Sequence, residues 1–129
     1  MNLFVDSEIE LTVKLHVYGS VFWTDNNSAN KPEKLDETKH KIYTLNFRLP
    51  TYADEIDLSD TSVQLDGTGR MHIVTNQIRF KRFARLLKKW DLTGKNGDVL
   101  PISPENIGSL NPDIGAIIAD DLESQLTAP

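Results

Sequence analysis

The stretch Glu8-Ile9-Glu10-Leu11-Thr12-Val13-Lys14-Leu15-His16-Val17-Tyr18 alternates without a break. Ile9, Leu11, Val13, Leu15 and Val17 fall on one side. Glu8, Glu10, Thr12, Lys14, His16 and Tyr18 fall on the other. Successive side chains of an extended chain point to opposite faces, so this pattern predicts a β-strand with one face against a core and one toward water. Gly19-Ser20 interrupts it before Val21-Phe22-Trp23, and the reading taken is a bulge or bend that carries the strand on with its faces re-aimed. A second alternating run sets Tyr43, Leu45, Phe47 and Leu49 against Ile42, Thr44, Asn46 and Arg48, until Pro50 removes a ladder donor. The two runs are expected to pair antiparallel. Between them Asp25 to Lys41 is polar and nearly free of apolar residues, which reads as a mobile hairpin loop.

Working toward the C-terminus, Pro50 to Leu65 is acidic and open between loop, short helix and strand. Asp66-Gly67-Thr68-Gly69 reads as a turn, and Met71 to Val74 as a short strand or the opening of a helix. From Thr75 to Trp90 the period changes to three and four: Phe80, Phe83, Leu87 and Trp90, supported by Ile73 and Leu86, predict an amphipathic helix. Its other face carries Arg79, Lys81, Arg82, Arg85, Lys88 and Lys89. Asn96-Gly97 suits a type I′ hairpin turn within Asp91 to Pro101. Ser103-Pro104-Glu105 and Asn111-Pro112-Asp113 each place a capping side chain before a proline at the first helical position. The second of these helices should reach about Leu126 on a stripe of Ile114, Ile117, Ile118, Leu122 and Leu126, with Asp120, Asp121 and Glu123 mostly outward.

The chain has 129 residues, 39% of them hydrophobic, enough for one core and one domain. The sequence divides it into a β-hairpin region (1–49), an acidic connecting region (50–74) and a mainly helical region (75–129). The expectation is an α+β fold in which an N-terminal antiparallel sheet packs on the basic helix and the C-terminal helix. The predicted core is Leu11, Val13, Leu15, Tyr43, Leu45, Phe47, Phe80, Phe83, Leu87, Trp90, Ile114, Ile118 and Leu122. There are no cysteines, which excludes disulfides, thiolate nucleophiles and Cys-based zinc sites. The N-terminus has no signal-peptide pattern and no run nears the roughly 20 apolar residues of a spanning helix, so the chain is expected to stay where it is made, away from membranes.

Signatures of chemistry are missing. His16, His40 and His72 are far apart in sequence with no metal-binding spacing, and each reads as a water-exposed strand-face or loop histidine. The Asp66 to Gly69 turn lacks the lysine of a phosphate loop. Asp91 to Ile102 fails as a calcium loop because Ile102 stands where a bidentate glutamate is needed. No nucleophile elbow or dinucleotide fingerprint occurs. These residues predict no enzyme, no cofactor and no metal.

Charge is the stronger signal. The net charge of −5 divides into −1 for residues 1–49, −5 for 50–69, +7 for 70–95 and −6 for 96–129. The basic helix is either a solvated face balanced by its acidic surroundings or a contact for an acidic partner, a phosphate backbone or an anionic surface. For nucleic acid, stacking aromatics among the cations would be expected, whereas Phe80, Phe83 and Trp90 fall on the other stripe.

Two segments carry a family resemblance. Phe47-Arg48-Leu49-Pro50-Thr51-Tyr52-Ala53-Asp54 is similar to the strand followed by Arg-x-Pro-Thr-x-x-Asp that opens many tail assembly chaperones of tailed bacteriophages. The stretch from Leu86 to Leu122 follows the same order of signals: Leu86-Leu87-Lys88-Lys89-Trp90-Asp91, Gly94-Lys95-Asn96-Gly97, Leu100-Pro101-Ile102-Ser103-Pro104-Glu105-Asn106-Ile107 and a closing helix. Together they span about a third of the chain. The resemblance implies a non-enzymatic chaperone in the host cytoplasm that coats the tape measure protein and recruits tail tube subunits, with self-association expected. The large β-hairpin departs from the family, which is often mainly helical after a short β-element. It leaves room for a structural virion protein of the tail, neck or capsid decoration, or for a small nucleic-acid-binding or regulatory protein using the basic residues 79–89.

Overall fold

The computed structural model describes residues 3–65, 71–73 and 75–127, with the side chains of 3–59 and 77–127. The fold is α+β. Strand β1 (Glu10–Tyr18) turns at Gly19-Ser20 into β2 (Val21–Thr24), and β3 (His40–Arg48) lies on the other side of β1. Helix α1 (Tyr52–Ser62) is followed by β4 (Val63–Leu65) and β5 (Met71–Ile73), which pair with each other as a separate ribbon. Helix α2 (Thr75–Leu86) runs directly into β6 (Leu87–Trp90), and α3 (Pro104–Gly108) and α4 (Pro112–Thr127) finish the chain. The main sheet is antiparallel in the order β2-β1-β3-β6.

The alternation in β1 and β3 does what it predicts. β1 pairs with β3 from Glu10↔Arg48 through to Tyr18↔His40, which sets Leu11, Val13 and Leu15 opposite Phe47, Leu45 and Tyr43. Val13, Leu45 and Phe47 lose all contact with water and meet Phe83, Leu86, Ile118 and Leu122 of α2 and α4. Phe83 meets Phe47 edge-on, ring centroids 5.4 Å apart, the arrangement the ring quadrupoles favour.

Four expectations are corrected. Gly19-Ser20 is no bulge: Tyr18 pairs with Val21 across it, and Gly19 has φ +62°, as the first central residue of a type II′ hairpin turn requires. Asn96-Gly97 is not a type I′ turn, because only Gly97 has a positive φ (+82°). The Gly97 N–H closes the turn on the Gly94 carbonyl, the pattern of a type I turn followed by a left-handed glycine. Phe80, predicted in the core, is 43% exposed. Asp121, predicted outward, is 2% exposed, its Oδ1 accepting from Asn26 Nδ2 (2.9 Å) and Gln125 Nε2 (2.7 Å).

A fifth correction concerns the predicted helix from Thr75 to Trp90, which ends at Leu86. Leu87 pairs with Phe47, Lys89 with Asn46 and Trp90 with Leu45, so Lys88 is an extra residue with no partner in the register. In a regular strand a three-residue step would put Leu87 and Trp90 on opposite faces. The bulge re-aims them, and both are buried while Lys88 and Lys89 stay exposed. The turn at Asp66 to Gly69 lies outside the described residues. No helix among those described is long and apolar enough to cross a membrane.

The bulge makes a prediction. Lys88→Ala should change stability by no more than about 0.5 kcal/mol, as for an ordinary surface site. Deleting Lys88 should turn either Leu87 or Trp90 outward and cost about 3 kcal/mol or more, read as midpoint shifts in urea denaturation. Equal, small effects would mean that the bulge does not set the register.

Candidate functional site

The basic residues singled out by the sequence are on the surface of α2 and β6, and the fold has already supplied them with partners. Arg79 and Arg82 reach α4: Arg79 Nη2 donates to the Ala116 carbonyl (3.1 Å) and to Asp120, and Arg82 Nη1 lies 3.3 Å from Glu123 Oε1. Lys81 and Arg85 reach α1, with Lys81 Nζ 3.1 Å from Asp57 Oδ1 and Arg85 Nη1 3.1 Å from Asp57 Oδ2. Lys88 and Lys89 flank Glu10 of β1, at 3.0 and 4.0 Å. The Lys88 contact holds the Glu10 carboxyl below its ordinary pKa. The four cations of α2 therefore line the seam where acidic α1 and α4 pack against it, and the two lysines of β6 sit over β1. Exposed pairs of this kind contribute about 0–1 kcal/mol each, so their main effect is to neutralise the face.

One pairing is of another kind. Asp54, in the first turn of α1, is 1% exposed and takes a two-pronged contact from Arg48 at the end of β3: Nη1 to Oδ2 at 2.5 Å and Nη2 to Oδ1 at 2.9 Å. Arg85 Nε donates to the same Oδ1. The Thr51 backbone N–H (2.7 Å) and hydroxyl (3.0 Å) donate to Oδ2, while Thr51 Oγ1 accepts from the Asp54 N–H (3.3 Å). Thr51 and Asp54 thus form a reciprocal cap three residues apart at the start of the helix. Pro50 ends the strand just before it. The Arg48 guanidinium, followed by the Thr51 N–H and Arg85, holds the Asp54 carboxyl well below the usual carboxylate range against the opposing effect of burial. Asp54 in turn raises Arg48.

A second cluster escaped the sequence reading. His16 and His40 are neither separate nor simply solvated. The β1–β3 register brings their rings into a stack 5.1 Å apart, with His16 Nδ1 2.9 Å from His40 Nε2. His16 Nε2 lies 2.6 Å from Asp25 Oδ1. Trp23 stacks on both rings, 5.2 Å from His16 at 7° and 5.3 Å from His40 at 24°. Twenty-four residues separate the histidines, so only the strand pairing could have revealed the contact. His72 has no described side chain. Among the described residues no group of three or more His, Asp or Glu side chains is arranged to hold a metal ion.

The third feature is an apolar groove of about 310 Å³ between α2, α3 and α4, lined by Phe80, Phe83, Ile107, Leu110, Pro112 and Ala119. The exposure of Phe80 belongs to this groove. α3 is positioned by its Ser103 cap, whose Oγ accepts from the Asn106 N–H at 3.1 Å. No family model matches the chain, and no curated protein or solved structure matches it either.

Asp54→Asn should cost about 2–4 kcal/mol at neutral pH, because Arg48 and Arg85 keep their charges and lose the shared acceptor. The folded-state pKa lies below the unfolded one. The wild-type contribution is therefore complete above the ordinary carboxyl value of about 3.9 and is lost as pH falls below it toward the folded value. Urea melts between about pH 7 and pH 2.5 should show the wild-type curve falling toward that of the variant. Parallel curves would mean that Asp54 does not carry the acid sensitivity.

Proposed function

We propose that this chain is a non-enzymatic assembly chaperone of a tailed bacteriophage, acting in the host cytoplasm on the tape measure protein and tail tube subunits. The observation that carries the reading is the Arg48-x-Pro50-Thr51-x-x-Asp54 segment. Every defined position of that pattern has a structural task here: Arg48 clamps, Pro50 ends the strand, Thr51 caps and Asp54 receives. The similarity to the chaperones therefore rests on a strand-to-helix joint with physical consequences. The apolar groove beside Phe80 supports it further, since an amphipathic helix of a partner buries anchor side chains in grooves of this kind.

A second reading, a structural virion subunit of the tail, neck or capsid decoration, is favoured by the N-terminal arm. Leu3 and Phe4 are 86% and 87% exposed, apolar side chains of the sort that subunit contacts cover. Self-association into a ring or spiral fits either reading. Binding of nucleic acid through Arg79, Lys81, Arg82, Arg85, Lys88 and Lys89 is disfavoured, because phosphates would compete with carboxylates already in place.

The test is co-expression with the neighbouring open reading frames, size-exclusion chromatography with light scattering, and mass spectrometry of what co-elutes. A chaperone should co-elute with a long, helix-rich protein and be absent from purified particles. Retention in particles would replace the chaperone with the virion subunit, and a monomer that binds nothing would remove both.

A further inference from the structure

Trp23 lies on the outer face of the main sheet, beside His16 and away from the helices. An outer-face residue of an edge strand has no second layer above it, yet Trp23 is 2% exposed. Its cover is the two histidine rings and the segment between β2 and β3, which contributes Asp25, Ser28, Lys31 and Leu35 around a small cavity of about 220 Å³. That segment, expected to be a mobile loop, is a strap with few anchors. At one end Asn26 is held by Asp121 of α4. At the other the Asp36 N–H donates to the Tyr18 hydroxyl at 3.2 Å, and the Asp36 carboxylate accepts from the Thr38 N–H and hydroxyl.

The histidine contact limits how many protons the closed strap can hold. His16 Nε2 lies 2.6 Å from a carboxylate oxygen, and a hydrogen bond between them needs its proton on the nitrogen, since a carboxylate only accepts. The gap between His16 Nδ1 and His40 Nε2, at 2.9 Å, has room for one proton and one lone pair. His40 Nδ1 is then the only other place for a proton. The stacked pair thus accepts two or three protons on its four ring nitrogens and never the four that two imidazolium ions require. A fourth proton would set two N–H groups head to head and two positive rings 5.1 Å apart, with one carboxylate, Asp25, to offset them. Lys31 of the strap adds a further positive charge, and the Tyr18 hydroxyl, opposite His40 in the register, already accepts from the Asp36 N–H.

We propose that His16 and His40 form a proton-counting latch that keeps the strap from Asp25 to Lys39 closed over Trp23 and releases it on acidification. The open state, with the rings apart, binds one proton more than the closed state. Linkage then shifts the balance toward opening by up to about tenfold for each pH unit below the last protonation. The latch does not depend on the chaperone reading, since it concerns the opposite face of the sheet from the groove.

The experiment is NMR of the two tryptophan indole N–H signals, assigned with Trp23→Phe, with a soluble paramagnetic probe added between about pH 8 and pH 5, a range that spans ordinary imidazole titration. The enhancement at Trp23 should rise severalfold on acidification with a slope of about one proton, while Trp90 in the core stays unchanged as an internal control. His40→Gln keeps an amide donor for His16 Nδ1 and cannot take the fourth proton, so its Trp23 signal should stay flat. A flat wild-type profile overturns the latch even if His40→Gln fails to fold. So does a joint response of both tryptophans, which would be global unfolding, or a His40→Gln profile like that of the wild type, which would assign the effect to carboxylates.

Discussion

The structure depends most on where one carboxylate has been put. Asp54 sits at the point where β3 ends, α1 begins and the last turn of α2 passes, and it accepts from all three segments at once. Burying a charge costs several kcal/mol unless its lone pairs are occupied. Here two guanidinium groups and a capping threonine occupy them. The arrangement works only if Arg85 stands at the end of α2, so the helix must arrive with that face toward α1 and hand over to β6 at Leu87. β6 can then pair with β3 beside Arg48. The electrostatic joint and the sheet edge are two consequences of one placement.

The same geometry explains the uneven charge of the chain. A basic segment between two acidic ones reads along the sequence as a surface for a partner. Folded, it is α2 packed between α1 and α4, and Arg79, Lys81, Arg82 and Arg85 meet Asp57, Asp120 and Glu123 within the molecule. Among the apolar surfaces left uncovered are the groove at Phe80 and the side chains of Leu3 and Phe4. An edge lined by Lys88 and Lys89 resists pairing with another strand.

Much of the fold was legible in the sequence because period-two alternation leaves little choice when one face must be buried. β1, β3, their pairing, and the proline-marked starts of α3 and α4 follow from local pattern and capping chemistry. The two turns were misread in their local geometry, whereas the end of α2 and the direction of Asp121 depend on contacts distant in sequence. Leu87 and Trp90 kept a helical spacing that a bulge opposite Phe47 also satisfies. Asp121 turned inward because Asn26 and Gln125 were there to meet it. Of the candidate site, the basic residues were visible and their partners were not. The contact of His16 with His40 required the strand register, and the Arg48 to Asp54 pattern could be recognised without revealing that Arg85 completes it.

If Asp54 and Arg85 act as one unit joining α1 to α2, a double-mutant cycle will show it. Unfolding free energies of the wild type, Asp54→Asn, Arg85→Met and the double variant would be measured in urea at neutral pH. A coupling of about 1–3 kcal/mol is expected, the two substitutions together costing less than their sum. Additivity within about 0.5 kcal/mol would contradict it, leaving Asp54 as a helix cap and Arg85 as one more surface cation.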